Sequence, residues 1–217
     1  LSNFKILNRL LENRDSIKDI VHLESLINRR GTPRAEEMAN KVIVSSKADT
    51  LKTLQSLLIN SHIEKLLEFT VAEWQVKQDA ILSNIKENFM PGQIVVRSSA
   101  INEDTIEGSN AGCFESVLDV PSSEIDAIRQ AVDRVIASYR RKGSTSATNQ
   151  ILVQSQTKDV LLSGVIFTRT LDTNAPYYVI NYDDQTSKTD TVTKGIESKR
   201  FMFLKCAPLD SMPRSVK

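Results

Sequence analysis

The amino-acid sequence predicts an α+β protein, because amphipathic helical stretches and short β-like runs succeed one another along 217 residues of ordinary globular composition. No run reaches the about 18 apolar residues that a spanning helix needs, and the N-terminus shows no apolar stretch behind a basic one, so neither a membrane helix nor a signal peptide is expected. With 28 basic and 27 acidic side chains the net charge is +1, which lacks the basic footprint of a nucleic-acid-binding face. Aromatic residues at 6%, including one Trp, leave little surface for stacking single-stranded bases. Cys113 and Cys206 are too few for a disulfide framework, and His22 and His62 have no partner at zinc-ligand spacing, so no structural metal is expected.

The first 42 residues read as a helical leader. Ile6, Leu7, Leu10 and Leu11, then Ile17, Ile20, Val21, Leu23, Leu26 and Ile27, recur at helical spacing, and Arg29-Arg30-Gly31-Thr32-Pro33 stops the second helix. Its apolar faces are expected to pack on the rest of the chain, with association to a partner or a second copy as the alternative. A β-like run, Val42-Ile43-Val44, turns into a helix carrying Leu51, Leu54, Leu57 and Leu58, and the helical stretch is extended through residues 54–69, which includes His62. Ser45 or Ser46 can cap the helix and leave Lys47 at its N-terminal end, where orphan N–H groups and the dipole favour anions. A solvated lysine beside a cap is the bland alternative.

Next come a short strand over residues 68–71 and a helix over 72–89 anchored by Trp74, Ile81, Ile85 and Phe89 and closed by Pro91-Gly92. A buried-type strand, residues 93–98, carries Arg97 near its end, and residues 99–112 form a polar loop leading into a strand over 113–120. A helix over 123–141 presents Ile125, Ile128, Val132, Val135, Ile136 and Tyr139 on one face, with Ser122 or Ser123 as cap and Arg140-Arg141-Lys142 as a solvated basic end. Strands are expected over 150–154, 161–168, 177–182 and 200–204, with Asp159 and Asn174-Ala175-Pro176 in turns.

A strand ending in arginine and followed by a Ser/Gly-rich loop suits a polyphosphate: the guanidinium makes forked contacts while small residues let backbone N–H groups approach. An ion pair of Arg97 with Glu103 or Asp104 in a plain hairpin fits the same residues. The wording of the segments adds a resemblance. Val96-Arg97-Ser98-Ser99-Ala100, Glu103-Asp104 and the run from Ser109-Asn110-Ala111-Gly112-Cys113-Phe114 to Val120 resemble the nucleotide-binding domain of phosphoenolpyruvate synthases and pyruvate phosphate dikinases. Val153-Gln154 followed by Ser163-Gly164-Val165-Ile166-Phe167-Thr168-Arg169 is similar to a later signature of that family, and Ser46-Lys47-Ala48-Asp49-Thr50-Leu51 to its opening, in the same order and spacing.

The resemblance implies an ATP-grasp-type nucleotide-binding domain, incomplete in these residues, spanning 43–217 behind the helical leader. It implies that Lys47 and Arg97 hold nucleotide phosphates and act in catalysis, that Ser109 and Gly112 belong to a loop over the phosphates, and that Gln154 and Ser155 lie on the strand reaching the adenine. Thr168 and Arg169 belong to the same wording, and a structural turn is the equal alternative for them. ATP with Mg²⁺ is the implied cofactor, its metal ligands falling outside this chain. The implied partners are the phosphohistidine and acceptor domains of a longer parent chain, the implied location cytoplasmic.

The chain departs from the family over Tyr177–Asp184 and Thr191-Val192-Thr193-Lys194-Gly195, wording similar to a subgroup with capsule-modifying glutamine kinases, so the acceptor stays open. The family's metal-holding Glu and Gln-x-Arg strand have no match before Lys217, and the missing initiator Met points the same way, to an excised piece of a kinase that is inactive alone. A non-catalytic nucleotide-binding or scaffold module is the alternative. Neither His22 nor His62 stands in a motif resembling the family's phosphocarrier.

Overall fold

Local signals in the sequence set where each element begins, and tertiary hydrogen bonds set where several of them end. The computed structural model describes residues 14–28, 46–100, 104–105, 108–109, 115–196 and 198–205. The chain divides into two units, Asp19–Gln156, and Leu1–Lys18 together with Thr157–Lys217. Helix α1 runs Arg14–Asn28 and α2 Lys47–Gln55. Strand β1, Leu66–Thr70, passes directly into α3, Val71–Phe89, because Thr70 and Glu73 close a reciprocal capping box across the junction.

The first unit continues with β2 (Gln93–Ser99), the short pair β3 (Asp104–Thr105) and β4 (Gly108–Ser109), β5 (Ser116–Pro121), α4 (Ile125–Arg141) and β6 (Gln150–Ser155). Four strands form an antiparallel sheet in the order β1-β6-β2-β5. Alternation puts Phe69, Ile94, Val96, Ile151 and Val153 on one face, where they share a buried core with Trp74, Leu82, Ile85 and Phe89 of α3 and Ile128, Val132, Val135 and Tyr139 of α4. Trp74 stacks on Phe69 with ring centroids 5.5 Å apart, and its indole N–H donates to Asp133 at 3.1 Å. Leu82 is buried where Ile81 was expected as the anchor, and Ile81 packs at the margin.

Three expectations are corrected here. The helix after Lys47 stops at Gln55 and His62 is not helical, because the N–H groups of Ile59, Asn60 and Ser61 donate to the Asp19 carboxylate and are lost to a helical ladder. Neither Ser122 nor Ser123 caps α4, whose N-cap is Glu124 with no side-chain bond. The buried Ser122 hydroxyl instead turns to the carbonyls of Phe89 and Gly92, at 3.1 and 2.9 Å, and ties down the turn before β2. Within the expected loop of residues 99–112, β3 and β4 form a small hairpin with Asp104 opposite Ser109. The expected helix over residues 6–11, the run 42–44, Gly112, Cys113 and Cys206 lie outside the described residues.

The second unit carries a three-stranded antiparallel sheet of β7 (Ser163–Phe167), β8 (Tyr177–Asp183) and β9 (Lys199–Leu204). Tyr178, Ile180 and Tyr182 share one face with Phe201 and Phe203, the Tyr178 and Phe203 rings lying 5.1 Å apart. Asp183 accepts from the Thr186 hydroxyl and from the backbone N–H of Gln185 and Thr186, at 2.9 and 3.2 Å, which holds its carboxyl down at about 2. Asn174 takes a positive φ in the turn between β7 and β8. Among the described residues no helix is long and apolar enough to cross a membrane.

Gly164 is required by close approach rather than by φ. A Cβ there would sit 2.5 Å from the Asn181 carbonyl oxygen and 3.2 Å from the Tyr182 Cα, both in the paired strand β8. Gly164→Ala is expected to loosen the β7–β8 pair by about 1–3 kcal/mol, the usual cost of overpacking. Amide hydrogen exchange across Val165, Phe167, Val179 and Asn181 checks it; unchanged protection would show that the strands can part at no cost.

Candidate functional site

Opposite the α3/α4 core, the first unit's sheet presents a second face. Arg97 of β2 lies between Leu152 of β6 and Ser116 of β5 in one row, and Leu152 is in turn paired with Glu68 of β1. Gln154, paired with Val95 and Leu66, and Gln150, paired with Ser99 and Thr70, flank that row on the same face. Helix α2 lies over this face: the Lys52 ammonium pairs with Glu68, and the Ala48 N–H donates to the Ser99 hydroxyl at 2.9 Å in a buried bond spanning 51 residues. That bond joins the Lys47 and Arg97 segments directly, since Ala48 follows Lys47 and Ser99 stands two residues beyond Arg97.

Arg97 is half-buried, and among the described residues no hydrogen bond or ion pair engages its guanidinium. The side chains of Glu103 and Asp104, the alternative ion-pair partners, lie outside the described residues; a half-buried guanidinium with no counter-charge among the described residues is suited to an incoming anion. The N-terminus of α2 is differently disposed from what its sequence suggests. Ser46 caps it, accepting from the Asp49 N–H at 3.1 Å and donating to the Asp49 carboxylate at 2.7 Å, while the Ala48 N–H is taken by Ser99. Two of the orphan amides are thereby satisfied within the protein, and Lys47 is the first helical residue.

The other sequence-predicted residues are placed as follows. Ser155 pairs with Ile94 and so points to the core face, away from Gln154, and its N–H donates to the Lys65 carbonyl at 2.9 Å. Ser109 is in β4 of the small hairpin, and Gly112 is outside the described residues. Thr168 and Arg169 follow β7 in the second unit, where an Arg169 guanidinium N–H donates to the Asn174 carbonyl at 3.0 Å and the side chain borders a cleft of about 260 Å³ with Asn181 and Arg200. The structure therefore places Arg97 and Gln154 on one face of the sheet and Ser155 on the other, with the helix that starts at Lys47 bonded to Ser99 of the Arg97 face.

Several interactions around this sheet were missed in the sequence. Tyr139 reads as one more apolar residue of its helix, yet its hydroxyl accepts the Ser99 N–H at 2.8 Å and donates to the Gln150 carbonyl. Glu115 binds Arg134 and Arg141, at 3.0 Å from the Arg134 Nε and 2.8 Å from the nearer Arg141 nitrogen, so Arg141 is not merely solvated. Burial alone would raise the Glu115 carboxyl, but these two guanidinium groups outweigh it and hold it below the ordinary glutamate range. Among the described residues no group of three His, Cys, Asp or Glu side chains converges as metal ligands.

A helix-backed antiparallel sheet that carries Arg97 on its other face, under the short helix that starts at Lys47, is an α+β arrangement. Residues 34–182 match the family described as pyruvate phosphate dikinase, AMP/ATP-binding domain, and the chain belongs to that family. No curated protein matches the chain. The matched stretch contains Lys47, Arg97, Ser109, Gly112, Gln154, Ser155, Thr168 and Arg169, whereas Asp19 and Arg200 fall outside it.

Proposed function

We propose that this chain binds ATP through Lys47 and Arg97 and is the nucleotide-binding part of a dikinase-type phosphotransferase, in which ATP yields AMP and phosphate by way of a phosphohistidine carried outside these residues. The observation that supports it most is the half-buried Arg97 guanidinium, without a partner among the described residues and joined to the Lys47 helix by the Ala48–Ser99 bond. Phosphoryl transfer asks a protein mainly for positioning and for neutralisation of charge on the phosphate oxygens. A forked guanidinium on a rigid strand and an ammonium at a helix start supply both, and Gln154 on the same face is the candidate for contact towards the base.

Calorimetric titration with ATP tests this reading. Lys47→Ala is expected to weaken binding by about ten-fold, which corresponds to about 1.4 kcal/mol, and inorganic tripolyphosphate is expected to compete with ATP where adenosine competes poorly. Binding of ATP unaffected by both Lys47→Ala and tripolyphosphate would remove this face as the phosphate site.

A further inference from the structure

Helix α1 precedes the family-matched residues, yet it supplies a side chain that reaches the candidate site's own scaffold. Asp19 is 2% exposed. Its carboxylate accepts from the backbone N–H groups of Ile59, Asn60 and Ser61, at 3.1, 2.9 and 2.6 Å, and from the Asn60 side-chain amide at 3.1 Å. Successive backbone N–H groups converging in this way form an anion-binding concavity, filled here by a carboxylate from 40 residues away. Burial would raise the Asp19 carboxyl, but the bonds from Ser61, Asn60 and Ile59 prevail and keep it ionised, well below the ordinary range.

The clamped segment is the exit of α2. The N–H groups of Leu57 and Leu58 still donate to the Leu54 carbonyl, at 2.8 and 3.0 Å, so the turn leaving the helix runs into the clamp with no slack. Helix α2 is thus held in three places: at its start by Ala48 on Ser99, in its middle by Lys52 on Glu68, and at its exit by Asp19. A nine-residue helix is too short to hold itself in place and takes its position from such contacts.

We infer that Asp19 is a positioning residue for nucleotide binding, fixing the α2 exit so that the Lys47 end of the helix keeps its place on Ser99, two residues beyond Arg97. The inference rests on the proposed ATP reading, and it gives the N-terminal helix a role in the site. It acts through Lys47 and not through the sheet residues, so its energetic signature is a coupling to Lys47.

The test is a double-mutant cycle on ATP affinity, read by calorimetry, with hydrogen exchange of residues 47–61 measured alongside. Asp19→Asn is expected to weaken ATP binding about five-fold in the otherwise native chain and in a Gln154→Ala background, and to have little further effect in a Lys47→Ala background. A purely structural role would give the same loss in all three. Asn60→Ala, which removes one donor and leaves the carboxylate, is expected to show the same pattern with a smaller loss, and serves if Asp19→Asn does not fold. Equal affinity of wild type and both variants, or equal losses in the Lys47→Ala and Gln154→Ala backgrounds, would overturn the inference while leaving the ATP reading intact. A wild-type chain that binds no ATP would overturn both.

Discussion

Arg97→Ala is expected to weaken ATP binding by about 10- to 100-fold without lowering the melting temperature. The first half follows from the strength of hydrogen bonds to charged groups, about 1.5–3 kcal/mol, realised when a phosphate meets a guanidinium already fixed on β2 between Leu152 and Ser116. The second half follows from the absence, among the described residues, of any hydrogen bond or ion pair on that side chain. Removing a half-buried charge that none of the described residues engages costs the fold little. Arg97→Lys is expected to recover the binding only in part, since an ammonium lacks the planar fork that grips two oxygens at once. Calorimetry and thermal unfolding on the same preparations check both halves; a variant that melts several degrees lower and binds ATP normally would make Arg97 a structural arginine and end its assignment to phosphate.

Tyr139→Phe is expected to destabilise the first unit by about 2–4 kcal/mol, an effect out of proportion to the loss of one oxygen. Tyr139 is 1% exposed and Ser99 is fully buried. Deleting the hydroxyl strands the Ser99 N–H and the Gln150 carbonyl together, and each unsatisfied buried group costs about 1–3 kcal/mol. The expected signature in denaturant is a lower midpoint at an unchanged slope. Because Ser99 also receives the Ala48 N–H, ATP affinity is expected to fall with stability, unlike in Arg97→Ala. A midpoint within experimental error of wild type would mean that both stranded groups find other partners.

Much of the framework was legible because it depends on neighbours in sequence. The spacing of Trp74, Ile85 and Phe89 marks α3, the run Ile94–Val96 marks β2, and the run Tyr177–Tyr182 after the Asn174-Ala175-Pro176 turn marks β8. The parts that escaped depend on partners far away. Asp19 breaks the expected helix near His62 from 41 residues upstream of Asn60, Ser122 abandons capping for a carbonyl 33 residues earlier, and the Tyr139 hydroxyl finds Ser99 across 40 residues. In each case a backbone group was claimed by a side chain that no local pattern could pair with it. The site followed the same division: Lys47 and Arg97 carry motif wording, whereas the bond that joins their segments runs between a backbone N–H and a serine, groups that leave no mark in composition or periodicity.

The order β1-β6-β2-β5 places the sheet's last-made strand between two earlier ones. During synthesis from the N-terminus, β1 and the β6-facing edge of β2 have no strand to pair with until residues 150–155 leave the ribosome. For the interval in which about 50 residues are added after β2, a few seconds at ordinary elongation rates, the nascent chain exposes open strand edges of the kind that recruit other chains. The same insertion makes β6 the keystone of the unit's cooperativity: once it is seated, it joins β1 to β2, and the Lys47 helix gains the sheet on which it rests.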